Sequence, residues 1–243
     1  MPPTANVINV DALPERMREP ARVYAGAIQE IARDNAVALA FYGLVVGGGF
    51  DPSAQPARNV LVLEKIDLEM LRILGQHGSR MAKSGIAAPV VMTPEYIARS
   101  LDTFPLELLE IQQQHVLVFG KDYFNDLTFD PAHVRTKCER ELKTALLAMH
   151  DGLLSTSGRD RLLHDVVADV AEGLMRILRG IAWLEGEREA RPTADTVARI
   201  ETVTGRKLAG VRAALDPTQR HDWGTFQLLY DDVTALGNWI DAR

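Results

Sequence analysis

The sequence contains very little cysteine and no long apolar run. Cys138 is the only cysteine among 243 residues, so neither an intramolecular disulfide nor a cysteine-rich metal site can form. The longest apolar run, residues 36–46, is shorter than the roughly 18–20 residues that cross a bilayer. The first twenty residues lack the basic-then-apolar pattern of a secretory signal. We therefore expect a cytoplasmic protein with a reduced thiol and no membrane association.

Basic residues are not in excess either. The chain has 27 Lys and Arg against 33 Asp and Glu, a formal net charge of −6 at pH 7. Residues 1–130 carry 11 basic and 16 acidic side chains, and residues 131–243 carry 16 and 17. Proteins that bind duplex nucleic acid usually present a basic patch or stripe. The charge pattern therefore gives no strong duplex nucleic-acid footprint. The six histidines are scattered, without the spacing of metal ligands.

The first half of the sequence alternates helical and strand-like patterns. Val60 to Leu63 is apolar on both faces, as in a strand buried on both sides of an α/β sheet. Proline begins several of the helical patterns, where its missing N–H is tolerated. The predicted helices cover 14–34, 67–81, the residues from 94, and 106–114, and the predicted strands cover 36–46, 59–63, 89–93 and 115–119.

From Asp130 onward the periodicity becomes purely helical. Asp130 is a suitable cap for a helix whose first residue is Pro131, and apolar residues then follow the 3.6-residue period for over six turns. Further helices are predicted over 159–184, from 193, over 207–215 and over 222–240. The predicted fold class is therefore a small mixed-sheet α/β domain, residues 1–130, followed by an all-α helical bundle, residues 131–243.

A glycine-rich stretch between two predicted strands is the most informative part of the sequence. Residues 41–64 read FYGLVVGGGFDPSAQPARNVLVLE, in which Gly47, Gly48 and Gly49 are consecutive. Without Cβ atoms, these residues would let backbone N–H groups approach a phosphate closely; a tight turn explains them equally well. A dinucleotide-binding fingerprint requires a helix directly after the glycines, and Pro52 and Pro56 disfavour one.

This stretch resembles the core of the nucleotidyltransferase superfamily, the polymerase-β-like minimal fold. In that family a strand ends in a Gly-Ser turn, a second glycine follows, and the next strand carries Asp-x-Asp. Gly43 matches the turn, Gly47 and Gly48 match the second glycine, and residues 59–61 match the Asp-x-Asp. The later stretch PVVMTPEYIARSLDTFPLELLEIQQQHVLVFGKDYFNDL is similar to bacterial members of the family, and the helical second half resembles the all-α domain that often follows this core. The resemblance implies that Gly43, Gly47, Gly48 and Gly49 are candidate nucleotide-binding residues.

The chain departs from the family at its signature residues. The serine of the Gly-Ser turn is replaced by Leu44, and the paired aspartates by Asn59 and Leu61. In the family these carboxylates bind two divalent ions, whereas leucine has no ligand atom. The strand-like residues 87–92 contain no third carboxylate, and Glu95 comes just after them. No residue is therefore assigned as catalytic or as a metal ligand, and no cofactor is expected.

Three functions remain open from the sequence. The first is a nucleotidyltransferase-like protein that has lost metal-dependent nucleotidyl transfer, a pseudoenzyme that binds a nucleotide, a nucleic-acid end or a partner. The second is an active Mg²⁺-dependent nucleotidyltransferase in which Asp51, Glu64 or Asp67 replaces the lost carboxylates. The third is a structural or interaction protein with a filled cleft, whose helical bundle serves a homodimer or a protein partner. We favour the first of these.

Overall fold

The computed structural model describes residues 7–47, 55–157, 159–216 and 218–243. The chain divides into two compact units. The first comprises the described residues up to Leu101 together with Glu110–Thr128, and the second comprises Asp102–Leu109 and Phe129–Arg243. Helix Pro105–Gln113 is therefore shared, its first half belonging to the second unit and its second half to the first.

The first unit is built on a mixed β-sheet. Its strands are β1 (Ala36–Tyr42), β2 (Asn59–Leu63), β3 (Val90–Met92) and β4 (His115–Gly120). Within the described ranges these strands form one sheet in the order β3-β2-β1-β4, where β1 is antiparallel to β2 and β4 and β2 is parallel to β3. Every residue of β2 is buried, as its continuous apolar sequence predicts.

The helices of the first unit cover the sheet and connect its strands. They are α1 (Glu15–Ala32), α2 (Leu44–Gly47), α3 (Leu68–Gln76), α4 (Gly78–Lys83), α5 (Pro94–Arg99) and the shared α6 (Pro105–Gln113). A 3₁₀ turn, Arg33–Asn35, joins α1 to β1. The buried stripe of α1 includes Tyr24 and Ile28, which belong to the same hydrophobic cluster as Leu39 and Leu61 of the sheet.

The second unit consists of helices that pack on one another. They are α7 (Pro131–Ser155), α8 (Asp160–Leu184), α9 (Thr193–Thr204), α10 (Ala209–Ala214) and α11 (Trp223–Asp241). The predicted start of α7 is confirmed, because the Asp130 carboxylate accepts a 2.8 Å hydrogen bond from the N–H of Ala132 and Pro131 is the first helical residue. The observed fold class is thus the predicted one, a mixed sheet followed by helices.

Close helix packing buries the single cysteine. A Cβ atom at Gly180 of α8 would lie 2.4 Å from Cδ2 of Leu106 and 2.8 Å from Sγ of Cys138. Glycine is therefore required there for α8 to approach these side chains. Burial raises the pKa of the Cys138 thiol to about 12, so the thiol stays protonated at neutral pH and is a poor nucleophile.

Two predicted elements differ from the structure. The strand predicted over 36–46 ends at Tyr42, because Gly43 has a φ of +76° and turns the chain into α2. The helix predicted over 67–81 is divided at His77 into α3 and α4. No helix in the described part of the chain is both long enough and apolar enough to cross a membrane.

Candidate functional site

The turn at Gly43 begins the site region that the sequence predicts. The Gly43 N–H donates a 3.0 Å hydrogen bond to the Gln114 carbonyl, and its own carbonyl accepts one of 2.9 Å from Val46. Leu44, at the position of the family's serine, is half-buried and begins α2. Gly47 ends that short helix. Gly48 and Gly49 lie outside the described residues.

Asn59 is buried, and both functional atoms of its amide have protein partners. Its Oδ1 accepts a 3.0 Å hydrogen bond from the Tyr24 hydroxyl on α1, and its Nδ2 donates one of 2.9 Å to the Ala87 carbonyl. Burial raises the pKa of Tyr24 above its ordinary value, so the phenol is a stable donor at neutral pH. The amide therefore joins α1, β2 and the segment before β3.

Leu61 lies on the same face of β2 as Asn59, as their two-residue spacing predicts. It is fully buried and belongs to the hydrophobic cluster that includes Ile28 of α1. The resemblance implies that this face carries metal in active relatives, and in the structure α1 lies over it. A carboxylate at position 61 would be surrounded by apolar side chains, where ionisation is costly.

Three of the carboxylates considered from the sequence, Glu64, Asp67 and Glu95, lie in the described part of the chain, and no metal-binding group is found there. Glu64 is exposed just after β2, and Asp67 accepts hydrogen bonds from the N–H groups of Glu69 and Met70 as the cap of α3. Glu95 is exposed and pairs with Arg99 one turn along α5, at 3.0 Å. Asp51 lies outside the described residues. The described part of the chain contains no group of three or more His, Cys, Asp or Glu side chains that could hold a metal ion.

The residues at the Asp-x-Asp positions therefore do not fit the metal ions that the resemblance implies. Divalent magnesium prefers carboxylate oxygens and gives up its water reluctantly. Asn59 offers one amide oxygen that already accepts a hydrogen bond, and Leu61 offers none.

A charged pair that sequence reasoning missed lies beside the Gly43 turn. Nη1 of Arg58 lies 3.0 Å and 3.1 Å from the two carboxylate oxygens of Glu110 on α6, and its guanidinium carbon lies 4.6 Å from the centre of the Tyr42 ring. A Cβ atom built on Gly43 would lie 3.7 Å from Oε1 of Glu110 and 4.0 Å from Nη1 of Arg58. The pair therefore adjoins the turn directly.

The two members of this pair differ in exposure. The Glu110 side chain is 8% exposed and the Arg58 side chain 37%. Burial lowers the pKa of Arg58, but Glu110 and Tyr42 raise it by more, so its net pKa lies above the ordinary value. Arg58 is thus a fixed cation that reaches solvent next to a glycine turn. The partners are 52 positions apart in the sequence, which explains why no local pattern predicts the pair.

Comparisons with known proteins support the fold. No protein-family model matches the sequence, and a search of curated proteins finds no match. Among solved structures, the chain is similar to a spectinomycin adenyltransferase from Enterococcus faecialis, solved with ATP and spectinomycin. The two are 10% identical in sequence with a TM-score of 0.57, and the match covers 92% of this chain and 98% of that chain. Taken with the strand order and the helical second unit, the match shows that this chain has a nucleotidyltransferase-like fold.

Proposed function

We propose that this protein is a nucleotide-binding module with a nucleotidyltransferase-like fold that has lost metal-dependent nucleotidyl transfer. The observation that carries the proposal is what Asn59 and Leu61 contact. The amide of Asn59 joins α1 to the sheet, and Leu61 is part of the hydrophobic core. Metal-dependent transfer needs anionic ligands that hold the ions and offset their dehydration.

Binding of a nucleotide is supported by Arg58. Phosphate groups are bound in proteins by guanidinium groups, which donate charge-assisted hydrogen bonds to them. Arg58 places a partly exposed cation beside Gly43, which has no side chain, and Glu110 holds that cation in place through two hydrogen bonds. The structurally similar adenyltransferase was solved with ATP. We therefore assign the phosphate groups of a nucleoside triphosphate to this position.

The test is a calorimetric titration of the full chain with ATP, in a chelator and in Mg²⁺. We expect binding in the chelator that Mg²⁺ does not strengthen, and a loss of about tenfold or more in affinity for Arg58→Gln, because an interaction with a charged group is removed. Arg72→Gln is the matched control. Arg72 also pairs with a glutamate, Glu69, but on the exposed surface of α3. We expect the affinity of Arg72→Gln for ATP to stay within about twofold of wild type.

Two further measurements separate the proposal from the other candidate functions. Pyrophosphate release from nucleoside triphosphates with Mg²⁺ or Mn²⁺, abolished by a chelator, would show an active enzyme and refute the loss of transfer. Absence of ATP binding to the folded wild-type chain would refute the nucleotide-binding part and favour an interaction protein. Arg58→Lys keeps the charge next to Glu110, so its retained binding would show that Arg58→Gln acts through the lost cation.

A further inference from the structure

A second candidate binding region lies beside α1, and Arg58 does not line it. In the first unit, α1, α3, α4, β2 and the segment before β3 enclose a cavity of about 290 Å³. Its lining includes the buried side chains of Tyr24, Ile28, Leu61 and Met81. Leu71 and Leu74 of α3 line it as well and are only half-buried. The cavity is therefore apolar and has a partly open side.

Two polar groups of the lining residues already have partners. The Tyr24 hydroxyl donates to Asn59, and the Ala87 carbonyl accepts from the same amide. None of the described lining residues is Asp, Glu, Lys or Arg, and His77, at the exposed side, is the one histidine among them. A charged ligand would lose its hydration without gaining an opposite charge. A neutral apolar ligand meets no such cost.

The size of the cavity limits its ligand further. Apolar cavities of about 150 Å³ inside proteins stay dry and take up benzene. This cavity has about twice that volume, which suits a bicyclic molecule of about ten heavy atoms and is at the lower end of ligand pockets. We propose that it binds a small, neutral, apolar molecule of this size between α1 and α3. The site is separate from the nucleotide position proposed above and does not depend on it.

The experiment uses indole as the probe and the full chain as the protein. Amide resonances of ¹⁵N-labelled protein are followed during titration with indole and, separately, with indole-5-carboxylate. We expect saturable shifts for α1, α3 and β2 with indole, and an affinity for the carboxylate that is lower by about tenfold or more. The absence of saturable binding to wild type would overturn the proposal. Equal affinity for the carboxylate would overturn the assignment to neutral ligands.

Variants that fill the cavity locate the site. Ala27→Phe adds a ring from a lining position of α1, and Val23→Phe adds the same ring one turn earlier at a position that is 46% exposed and outside the lining. We expect the first variant to lose indole binding and the second to keep it. Unchanged binding in a folded Ala27→Phe would overturn the proposal.

Discussion

The Tyr24 hydroxyl donates a 3.0 Å hydrogen bond to Oδ1 of Asn59, and both residues are buried. This contact connects the middle of α1 to the first residue of β2, 35 residues later. In the family that the sequence resembles, a metal-binding carboxylate is matched to this position. In this chain the residue at the matched position, Asn59, connects α1 to the sheet within the first unit.

Removal of the hydroxyl tests how much this connection stabilises the fold. Tyr24→Phe keeps the ring but leaves Oδ1 of Asn59 buried without its donor, which is expected to lower the free energy of unfolding by about 1–3 kcal/mol. The measurement is urea denaturation. Tyr96→Phe, at a side chain that is 46% exposed, serves as control and should change stability by less than about 0.5 kcal/mol. Equal stability of Tyr24→Phe and wild type would contradict the assigned role.

Introducing a carboxylate at position 59 should create a pH-dependent loss of stability. In Asn59→Asp an oxygen replaces the amide that donates to the Ala87 carbonyl, so the ionised form places two acceptors together in a buried site. The protonated form can still donate, and the pKa of the introduced carboxyl group in the folded state is therefore expected above the ordinary value for aspartate. The free energy of unfolding of the variant should therefore be closest to that of wild type at about pH 4. As pH rises above this value, the variant should become less stable than wild type.

The measurement is the difference in unfolding free energy between Asn59→Asp and wild type, followed from about pH 4 upward. Asn238→Asp, on the exposed surface of α11, is the control and should show a small difference at every pH. A difference for Asn59→Asp that stays constant with pH would show that the new carboxylate is not held in the buried site.

In the second unit, α10 and α11 approach so closely that no side chain fits between them at position 210. A Cβ atom on Gly210 would lie 2.2 Å from backbone atoms of Leu228 and Leu229, and the Gly210 N–H donates a 2.7 Å hydrogen bond to Asp232. Gly210→Ala must push the two backbones apart, which is expected to cost about 1–3 kcal/mol or more. Gly173→Ala is the control, because its Cβ meets nothing within 4 Å and helix propensity predicts a gain of about 0.5–1 kcal/mol. Chemical denaturation measures the unfolding free energy of both variants. If Gly210→Ala is more stable than wild type, the close approach of α10 and α11 is contradicted.

Glu201 should make the second unit sensitive to acid. Hydrogen bonds from Arg212, together with those from the Leu208 N–H and Lys207, lower the pKa of Glu201 to about 2, although burial opposes the shift. Because the folded-state pKa is below the ordinary value of 4.5, this contribution to stability is present above about pH 4.5 and is lost as pH falls towards about 2.

Thermal unfolding between pH 2 and pH 7 measures this contribution. We expect Glu201→Gln to be less stable than wild type near pH 7, by about 1–3 kcal/mol, and to approach it at low pH. Glu189→Gln, at an exposed position, should follow the wild-type curve. If Glu201→Gln loses stability on acidification as steeply as wild type, Glu201 is not responsible for the acid sensitivity.

Much of the fold can be predicted from local sequence. The strand Asn59–Leu63 is predicted with its observed bounds, because a short apolar run between turn-forming segments has few other conformations. Asp130 and Pro131 locate the start of α7, because a capping side chain followed by proline is a strong helix-start signal. The predicted end of β1 is wrong. The signal is present in Gly43, whose positive φ ends the strand four residues before the apolar run ends.

The candidate site is less predictable because its contacts join distant parts of the chain. The resemblance predicts that Asn59 and Leu61 stand at the positions of the family's carboxylates, but not that Tyr24 and Ala87 hold the amide. The alternation of side chains along β2 places both residues on one face, and no local pattern indicates that α1 covers that face. Arg58 and Glu110 likewise come together only through the folded chain.

The shared helix α6 has a consequence for dissecting the protein. Cutting the chain after Thr128 would give a C-terminal fragment without Asp102–Leu109, a segment of the second unit. The fragment would lose Leu106, which fills the space at Gly180, and Glu107, whose carboxylate lies 3.6 Å from both Lys137 and Arg176. A longer fragment beginning near residue 102 would retain them but would take Glu110–Thr128, with β4, from the other unit. No single cleavage point therefore yields two complete units, and during synthesis the first piece of the helical unit leaves the ribosome before β4, the last strand of the sheet.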